Sequence, residues 1–441
     1  MDMYKTTFDG LMKEVLIISY FYPPCTLTAA QRPAGWVKHL HTFGYRPIVI
    51  TRNWDVKIQK PKDQLVNAGS KIKVVTHAHY EVHYIPYKAT IRDRLYNSSF
   101  SFMRKCSKFF TLIDQIGENF SNHFIPFANL YDYAVTIIPQ KDIEAIIITA
   151  NPFIQFRFGY LLHKRFNIPW IADYRDDWTT TELVTHRNIL ESFIFRLHSY
   201  YEQKWVASAA MITSVSPYYV SKISQFVGIP GHTIYNGFDD LITTLTNSIS
   251  TKKFVITYNG TLYPSQDIEG FIQVINSLIT EYYTKIDVLV QFPGVAFDPI
   301  QSERIHSLIT GYEKNYFISD RIPKHEVFQL QADSDLLLML SHLGLKGAPS
   351  SKLYEYLSFR KPILCYPSDE DIIASVLTET QLGLITKDES HLKKVLARSI
   401  EAKINGKPLI TGIDEKAILK YCMKNQVEQL SLSLTKVINV L

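Results

Sequence analysis

The sequence predicts an α/β protein made of two doubly wound, mainly parallel sheets. Apolar runs of strand length alternate with segments of helical period, and this alternation stops and restarts once along the chain. The runs are continuously apolar rather than alternating, the pattern of strands covered by helices on both faces.

In the first series, "EVLIISYFYPP" leads through the amphipathic "AAQRPAGWVKHLHTFGY" to "RPIVITRNW". Next come "AIIITANP", the helical "FIQFRFGYLLHKRFN" and "IPWIADYRDDW". The second series runs through "KFVITYNGT", "KIDVLVQFPG", "NYFISDRI", "DLLLMLSH" and "KPILCYP", and fades near residue 386. Between them "TIYNGFDDLITTLTNSISTKK" is polar and lacks apolar period, which predicts a linker near Gly237 to Lys252. The expected organisation is a first domain over 1–240, a second over 241–414 and a long amphipathic helix over 415–441 with no strand to serve.

A chain of 441 residues is long enough to bury two cores, and 46% hydrophobic with 20% charged residues is ordinary for a globular protein. Cys25, Cys106, Cys365 and Cys422 lie far apart with no CxxC pair. That argues for reduced thiols and against a disulfide frame or a structural zinc site. The first fourteen residues carry Asp2, Asp9 and Glu14 and no long apolar core, unlike a signal peptide. No apolar run approaches the ~18 residues of a membrane span. The expectation is a soluble, cytoplasmic protein. Neither GxGxxG nor GxxxxGK[ST] occurs, which leaves dinucleotide and P-loop readings without support.

Open α/β sheets bind ligands beyond the carboxyl ends of their strands. Polar and small residues gather there: Pro23-Pro24 and a Thr/Ala loop containing Thr28, Asn151-Pro152, the run Asp173 to Trp178, Asn236-Gly237, Gly260-Thr261, and Ser341-His342 leading into "GAPSSKLYEYLSFRKPILCYP". In this last stretch a small-residue loop, Ala348 to Ser351, opens a helix. The first amides of a helix lack partners and favour anions, so a diphosphate suits that end. Lys352 adds a full charge, and Glu355 one turn on suits two vicinal hydroxyls of a ribose. The competing reading is an ordinary helix capped by Ser350 with a surface Lys and Glu.

Asp173, Arg175 and Asp176 form a second cluster, suited to steering a hydroxyl, taking its proton or binding a departing phosphate. The alternative is a structural knot with Arg175 paired to a carboxylate and Trp178 as a plug.

Here the sequence resembles a family. "SSKLYEYLSFRKPIL" is similar to the S-K-L-x-E-Y-L segment of retaining glycosyltransferases of the GT-B fold, family 4 type. "YFYPP…QRPAGWVKHLHTFGYRPIVIT" looks like their opening, and "NIPWIADYRDDW" is similar to a P-W-I-x-D-[FY]-R-D-x-W segment of one bacterial branch. "MITSVSPYYVSKI…TIYNGFD" resembles their domain-joining segment and "ITYNGTLYPSQD" the start of their nucleotide-binding domain. The order and spacing of all five pieces carry the resemblance over nearly the whole chain.

The resemblance implies two facing Rossmann-like domains with the C-terminal helix crossing back to the first. It implies sugar transfer from a nucleotide-sugar to an acceptor hydroxyl with retention at the anomeric carbon. Glu355 would hold the ribose, and the amides of Ser350, Ser351 and Lys352 the phosphates. Gly260 and Thr261 would form the adjoining donor turn, and Arg321 and Ile322 would meet the base, mostly through backbone groups. Asp173, Arg175 and Asp176 are the expected catalytic residues, with Asn151 and Thr28 on the acceptor side. No cofactor and no metal are expected.

Three departures stand out. A second Glu, common eight residues before the ribose-binding one, is Gly347 here. The usual Arg and Lys after the Gly-Thr turn are absent from "GTLYPSQD", which leaves Lys352 to supply the charge. The first loop, usually glycine-rich, is Cys25 to Ala29.

Asp333-Ser334-Asp335 spells a D-x-D but precedes its strand, at the wrong sheet edge for a ligand. His77, His79 and His83 lack further metal ligands. Residues 88–110 hold six cations (Lys88, Arg92, Arg94, Arg104, Lys105, Lys108) against Asp93, interleaved with Phe100, Phe102, Met103, Phe109 and Phe110. This reads either as an interfacial segment for an anionic membrane or as a helical insertion packing its rings inward. No nucleic-acid module is recognisable. The expected partners are a nucleotide-sugar donor and a glycan or lipid-linked acceptor. A nucleotide-sugar epimerase of the same fold and a non-catalytic nucleotide-sugar binder are the alternatives.

Overall fold

The computed structural model describes residues 12–56, 58, 61–182, 188–242 and 252–439. Most of the first fourteen residues, read above as no leader, and positions 243–251 of the expected linker lie outside the described residues. The chain divides into two compact units, Met1–Asn236 with Met423–Leu441, and Gly237–Cys422.

The first unit is built on β1 (Lys13–Ser19), β2 (Tyr45–Arg52), β3 (Lys73–Thr76), β4 (Glu81–Ile85), β5 (Ile143–Thr149), β6 (Trp170–Tyr174), β7 (Met211–Ser214) and β8 (Gly231–Thr233). They run in the order β3-β4-β2-β1-β5-β6-β7-β8, parallel except for the antiparallel edge pair β3–β4. Val15 to Ile18 and Ile146 to Ile148 have no exposed surface. Because successive strand residues point to opposite faces, both faces of this sheet are covered.

Helix α1 (Gln31–His39) follows β1. The insertion between β4 and β5 carries α2 (Ile91–Tyr96) and α3 (Ser101–Gly117). Thr90 opens α2 with a capping box: its hydroxyl accepts from the Asp93 amide, and the Asp93 carboxylate accepts from the Thr90 amide. Helix α4 (Ile189–Val206) joins β6 to β7 and packs against α3.

The second unit is built on β9 (Lys253–Thr257), β10 (Asp287–Pro293), β11 (Tyr316–Ser319), β12 (Leu336–Leu340), β13 (Ile363–Tyr366) and β14 (Gly383–Ile385). All are parallel, in the order β11-β10-β9-β12-β13-β14. Numbered within the unit this is 3-2-1-4-5-6, the Rossmann order, with its switch point between β9 and β12. Helix α5 (Ser351–Leu357) follows β12 across a loop.

The expected single helix over 415–441 is broken in two, Glu415–Lys420 and α6 (Met423–Asn439). The Phe238 amide donates to the Tyr421 carbonyl at 3.3 Å, and Phe238 bridges to Cys422, where the helix is interrupted. On α6, Met423, Val427, Leu430, Leu434 and Val437 are buried in the core of the first unit. Their alternating spacings of four and three make one continuous stripe, and each contributes about 1.5–3 kcal/mol. A Cβ on Gly35 of α1 would stand 2.7 Å from the Met423 side chain, so this helix pair needs a glycine at its contact.

Candidate functional site

The switch point of the second sheet brings together most of the residues expected to hold a donor. Gly260 (φ 86°) follows β9 and Gly294 (φ 88°) follows β10, both in the left-handed region that glycine tolerates. A Cβ on Gly294 would stand 3.6 Å from Gly260 Cα, and one on Gly260 would stand 3.3 Å from Lys352 Cε. Two bare backbone turns therefore form a floor beside the Lys352 stem.

Lys352 and Glu355 lie three residues apart on one face of α5, whose start the Ser350 hydroxyl caps by accepting from the Lys352 amide. Lys352 Nζ donates to the Tyr258 hydroxyl and to the Thr261 carbonyl, each at 2.8 Å, and lies 4.3 Å above the Tyr258 ring. This ties the cation to the Gly260-Thr261 turn, which has no cation of its own, and leaves one N–H unspent. Burial pushes the Lys352 ammonium down to about 7, against the opposing pull of Glu355, although part of the side chain still meets solvent.

Glu355 Oε1 accepts from Asn259 Nδ2 at 3.1 Å and from Gln331 Nε2 at 2.9 Å. Its other oxygen takes no hydrogen bond among the described residues, so the carboxylate is held by one oxygen and offers the second. Ser351, the first helical residue, is half-buried and Thr261 is exposed. Exposed Arg321 lays its guanidinium 3.7 Å from the Phe297 ring centre, beside half-buried Ile322. The Gly347 amide donates to the Asp371 carboxylate.

Asn259, Tyr258 and Gln331 are the residues that sequence reasoning missed here. Asn259, at a strand end, was open to discovery by position; Gln331, inside a helix, carried no signal.

Asp173, expected as a catalytic residue, stands in a buried hydrogen-bonded knot. Asp173 lies within β6 rather than beyond it and has no exposed surface. Its carboxylate accepts from Arg32 Nη2 (2.8 Å) and Nε (3.2 Å), Thr149 Oγ1 (2.8 Å) and Thr213 Oγ1 (2.7 Å). Arg32 also donates to the Ile234 carbonyl at 2.7 Å. Strand alternation turns Asp173 toward α1, so this is a buried knot joining α1, β5, β6, β7 and the segment after β8. Arg175, expected as a catalytic residue and in the alternative reading paired with a carboxylate, makes no hydrogen bond or ion pair among the described residues. Burial, aided by Arg32, pushes its pKa down, while Asp176 and Asp173 oppose the shift. Asp176, Asn151 and Thr28 are exposed.

Asp335 accepts from the Val255 amide at 2.9 Å and pairs with Lys403, a structural role at the amino edge of β12. His83 bonds Glu81 and Tyr133, whereas His79 stacks on His41 and His77 on Tyr80. Among the described residues no group of His, Cys, Asp and Glu is arranged to hold a metal, and no helix is long and apolar enough to cross a membrane. On the insertion, Phe100, Phe102, Met103 and Phe109 are exposed, Phe102 by 76%. Ile189, Leu190 and Phe193 on α4 are exposed as well. Apart from Phe110, the aromatic side chains named for that segment do not pack inward.

No protein-family model matches the chain, and no curated protein does. Solved structures do. A sucrose-phosphate synthase from Thermosynechococcus elongatus aligns over 97% of this chain and 100% of its own, at 12% identity and a TM-score of 0.63. A glycosyltransferase from Rickettsia africae aligns over 98% and 99%, at 12% identity and 0.61. Anabaena HepE, in complex with UDP and glucose, aligns over 96% and 99%, at 14% identity and 0.59. At such identities the likeness is one of fold, and the fold is that of GT-B glycosyltransferases, with two parallel-sheet, Rossmann-like domains.

Proposed function

We propose that this chain is a retaining glycosyltransferase of the hexosyltransferase type, acting in polysaccharide biosynthesis. It moves a sugar from a nucleotide-diphosphate-sugar to a hydroxyl of a lipid-linked or surface-glycan acceptor. The observation that carries this reading is the Lys352–Glu355 turn at the switch point of the second sheet. Above the Gly260–Gly294 floor it offers an unspent N–H and an unspent carboxylate oxygen, suited to a diphosphate and to a ribose.

In the reaction proposed, the acceptor oxygen bonds to the anomeric carbon on the face that the diphosphate leaves. The bond from carbon to phosphate oxygen breaks, and the hydroxyl proton passes to that departing oxygen. No enzymic nucleophile is needed. The chain's work is to hold the donor, orient the acceptor and stabilise the diphosphate charge. Lys352 meets that charge. Arg175 and Asp176 remain the charged members of the Asp173–Trp178 run with groups open to a substrate.

Incubation with labelled nucleotide-sugars in EDTA tests this. Free nucleoside diphosphate should appear, with the released sugar or product unchanged at C2 and no need for Mg²⁺ or Mn²⁺. Inversion at C2 without diphosphate release would identify an epimerase, and tight binding with no turnover a binding protein. Turnover that vanishes in EDTA and returns with Mg²⁺ would overturn the metal-free reading.

The proposal extends to where the acceptor is met. Exposed Phe100, Phe102 and Phe109 beside Arg104, Lys105 and Lys108 support a peripheral contact with an anionic membrane at its cytoplasmic face. The protein should float with phosphatidylcholine vesicles that contain phosphatidylglycerol, and should release at high salt. Phe102→Ser with Phe109→Ser should reduce the bound fraction severalfold. Equal binding to vesicles of phosphatidylcholine alone, or none to either, would refute the contact.

A further inference from the structure

The first unit contains a cavity of about 280 Å³ beyond the carboxyl ends of β1, β5 and β6, across the switch point between β1 and β5. Tyr20 enters from the loop after β1, Phe153 from that after β5 and Trp178 from that after β6, and Phe127 adds another ring. Phe153 and Trp178 are stacked, 5.4 Å between centres and 3° between planes, and this rigid aromatic pair forms part of the cavity wall.

Glu118, at the end of α3, and His198, on α4, line the same space. His198 Nε2 lies 3.1 Å from the Gln115 carbonyl, so it carries the proton and leaves Nδ1 as an acceptor. Glu118 Oε1 stands 3.5 Å from His198 Nε2, and its side chain is 17% exposed. The Glu118 carboxyl makes no hydrogen bond among the described residues. Burial and neighbouring Asp114 push it up to about 8, with Arg92 opposing, which favours the protonated acid near pH 7, a group that both donates and accepts.

Three classes of guest can be weighed against these groups. A phosphate or carboxylate needs a free cation. Among the described residues the one cation lining the cavity is Arg92, which bonds Asp93 at 3.0 Å and lies 3.4 Å from Asp114, so its charge is already spent. An alkyl chain would bury the unbonded Glu118 carboxyl and His198 Nδ1 without partners, each a cost of desolvation. A neutral polyhydroxylated ring satisfies both sides: its C–H face lies on the aromatic wall while its hydroxyls meet the acid and the imidazole. The size agrees. At about 280 Å³ the cavity falls just short of pockets for drug-sized ligands, roughly 300–1,000 Å³, and suits one ring.

We propose that this cavity binds a single uncharged pyranose ring, with Trp178, backed by the stacked Phe153, as its aromatic wall and Glu118 and His198 as its hydroxyl contacts. Its role as the acceptor sugar's subsite rests on the glycosyltransferase reading, whereas the binding itself does not. The acceptor's recognised unit is then a neutral sugar rather than a phosphate-bearing or acidic one.

Saturation-transfer NMR on the full chain tests this, with methyl α- and β-pyranosides of glucose, galactose, mannose and N-acetylglucosamine. At least one should bind to the wild type, and Trp178→Ala should weaken it tenfold or more. Glu118→Gln, which keeps a donor and an acceptor, should weaken it only a few-fold, and Glu118→Leu should abolish it. Thermal melts and nucleoside-diphosphate affinity, both unchanged in Glu118→Gln, separate loss of this site from unfolding. The proposal is overturned if no pyranoside binds, if Trp178→Ala binds as the wild type does, or if inorganic phosphate competes. Sugar binding without any nucleotide binding would overturn the proposed function and leave the cavity assignment standing.

Discussion

Arg32→Ala should lower the melting temperature of this protein by roughly 10 °C. Arg32 and Asp173 are both buried, with side chains 3% and 0% exposed, and joined by two hydrogen bonds. Removing one partner of such a pair leaves a buried charge without its counter-ion, at a cost of about 3–5 kcal/mol. For a unit of this size each kcal/mol shifts the transition by about 2–4 °C. Asp173→Asn should destabilise similarly, because it keeps the shape but strands the guanidinium. Replacing both, as Arg32→Met with Asp173→Leu, should recover part of the loss, since an apolar pair avoids the desolvation cost. Differential scanning calorimetry with nucleotide titrations below the transition checks this. Wild-type melting of Asp173→Asn combined with lost turnover would return Asp173 to a catalytic role.

Donor affinity should fall as pH rises from 6 to 8, severalfold, through Lys352. Burial holds this ammonium at about 7, far below an ordinary lysine. Its protonated form binds a diphosphate, so affinity is greatest below that value and declines above it, and binding should take up protons. A nucleotide-sugar is the right probe, because its diphosphate stays fully ionised over this range. Lys352→Ala should bind weakly at all pH, and Lys352→Arg should bind with a flat profile, since a guanidinium does not titrate there. Calorimetry in buffers of different ionisation enthalpy reads the proton uptake directly. A flat profile in the wild type would show that Lys352 does not meet the donor charge.

The fold was legible because its signal is local. Runs such as Val15 to Ile18 are apolar at every position, as strands covered on both faces must be. Strand β3 was missed because it is an exposed edge strand with no apolar pattern to read. The four-residue β7 is short and lay inside a segment read as a domain joint. At the proposed donor site, Lys352 and Glu355 were legible because they lie three residues apart on one helix. Their partners were not: Thr261 and Asn259 are more than ninety residues away and meet them only through the sheet. The pairing of Arg32 with Asp173 spans 141 residues, and nothing near Asp173 in the sequence announces it. Glu118 looks like any solvated charge at a helix end. Only the rings that converge from three distant strand ends make it a site residue.

Titration calorimetry of the wild type and Glu355→Ala with UDP, ADP, GDP and dTDP decides whether this chain holds a nucleotide at the second sheet's switch point. The carboxylate is oriented by Asn259 and Gln331 through Oε1, leaving Oε2 for a ribose hydroxyl. Losing this charged acceptor should cost about 1.5–3 kcal/mol, a tenfold or greater loss of affinity for whichever nucleotide binds. One nucleotide bound by the wild type and weakened to that extent in a normally melting Glu355→Ala is the outcome the geometry requires. Equal affinity in the two proteins, or no binding of any of the four by the wild type, would contradict it.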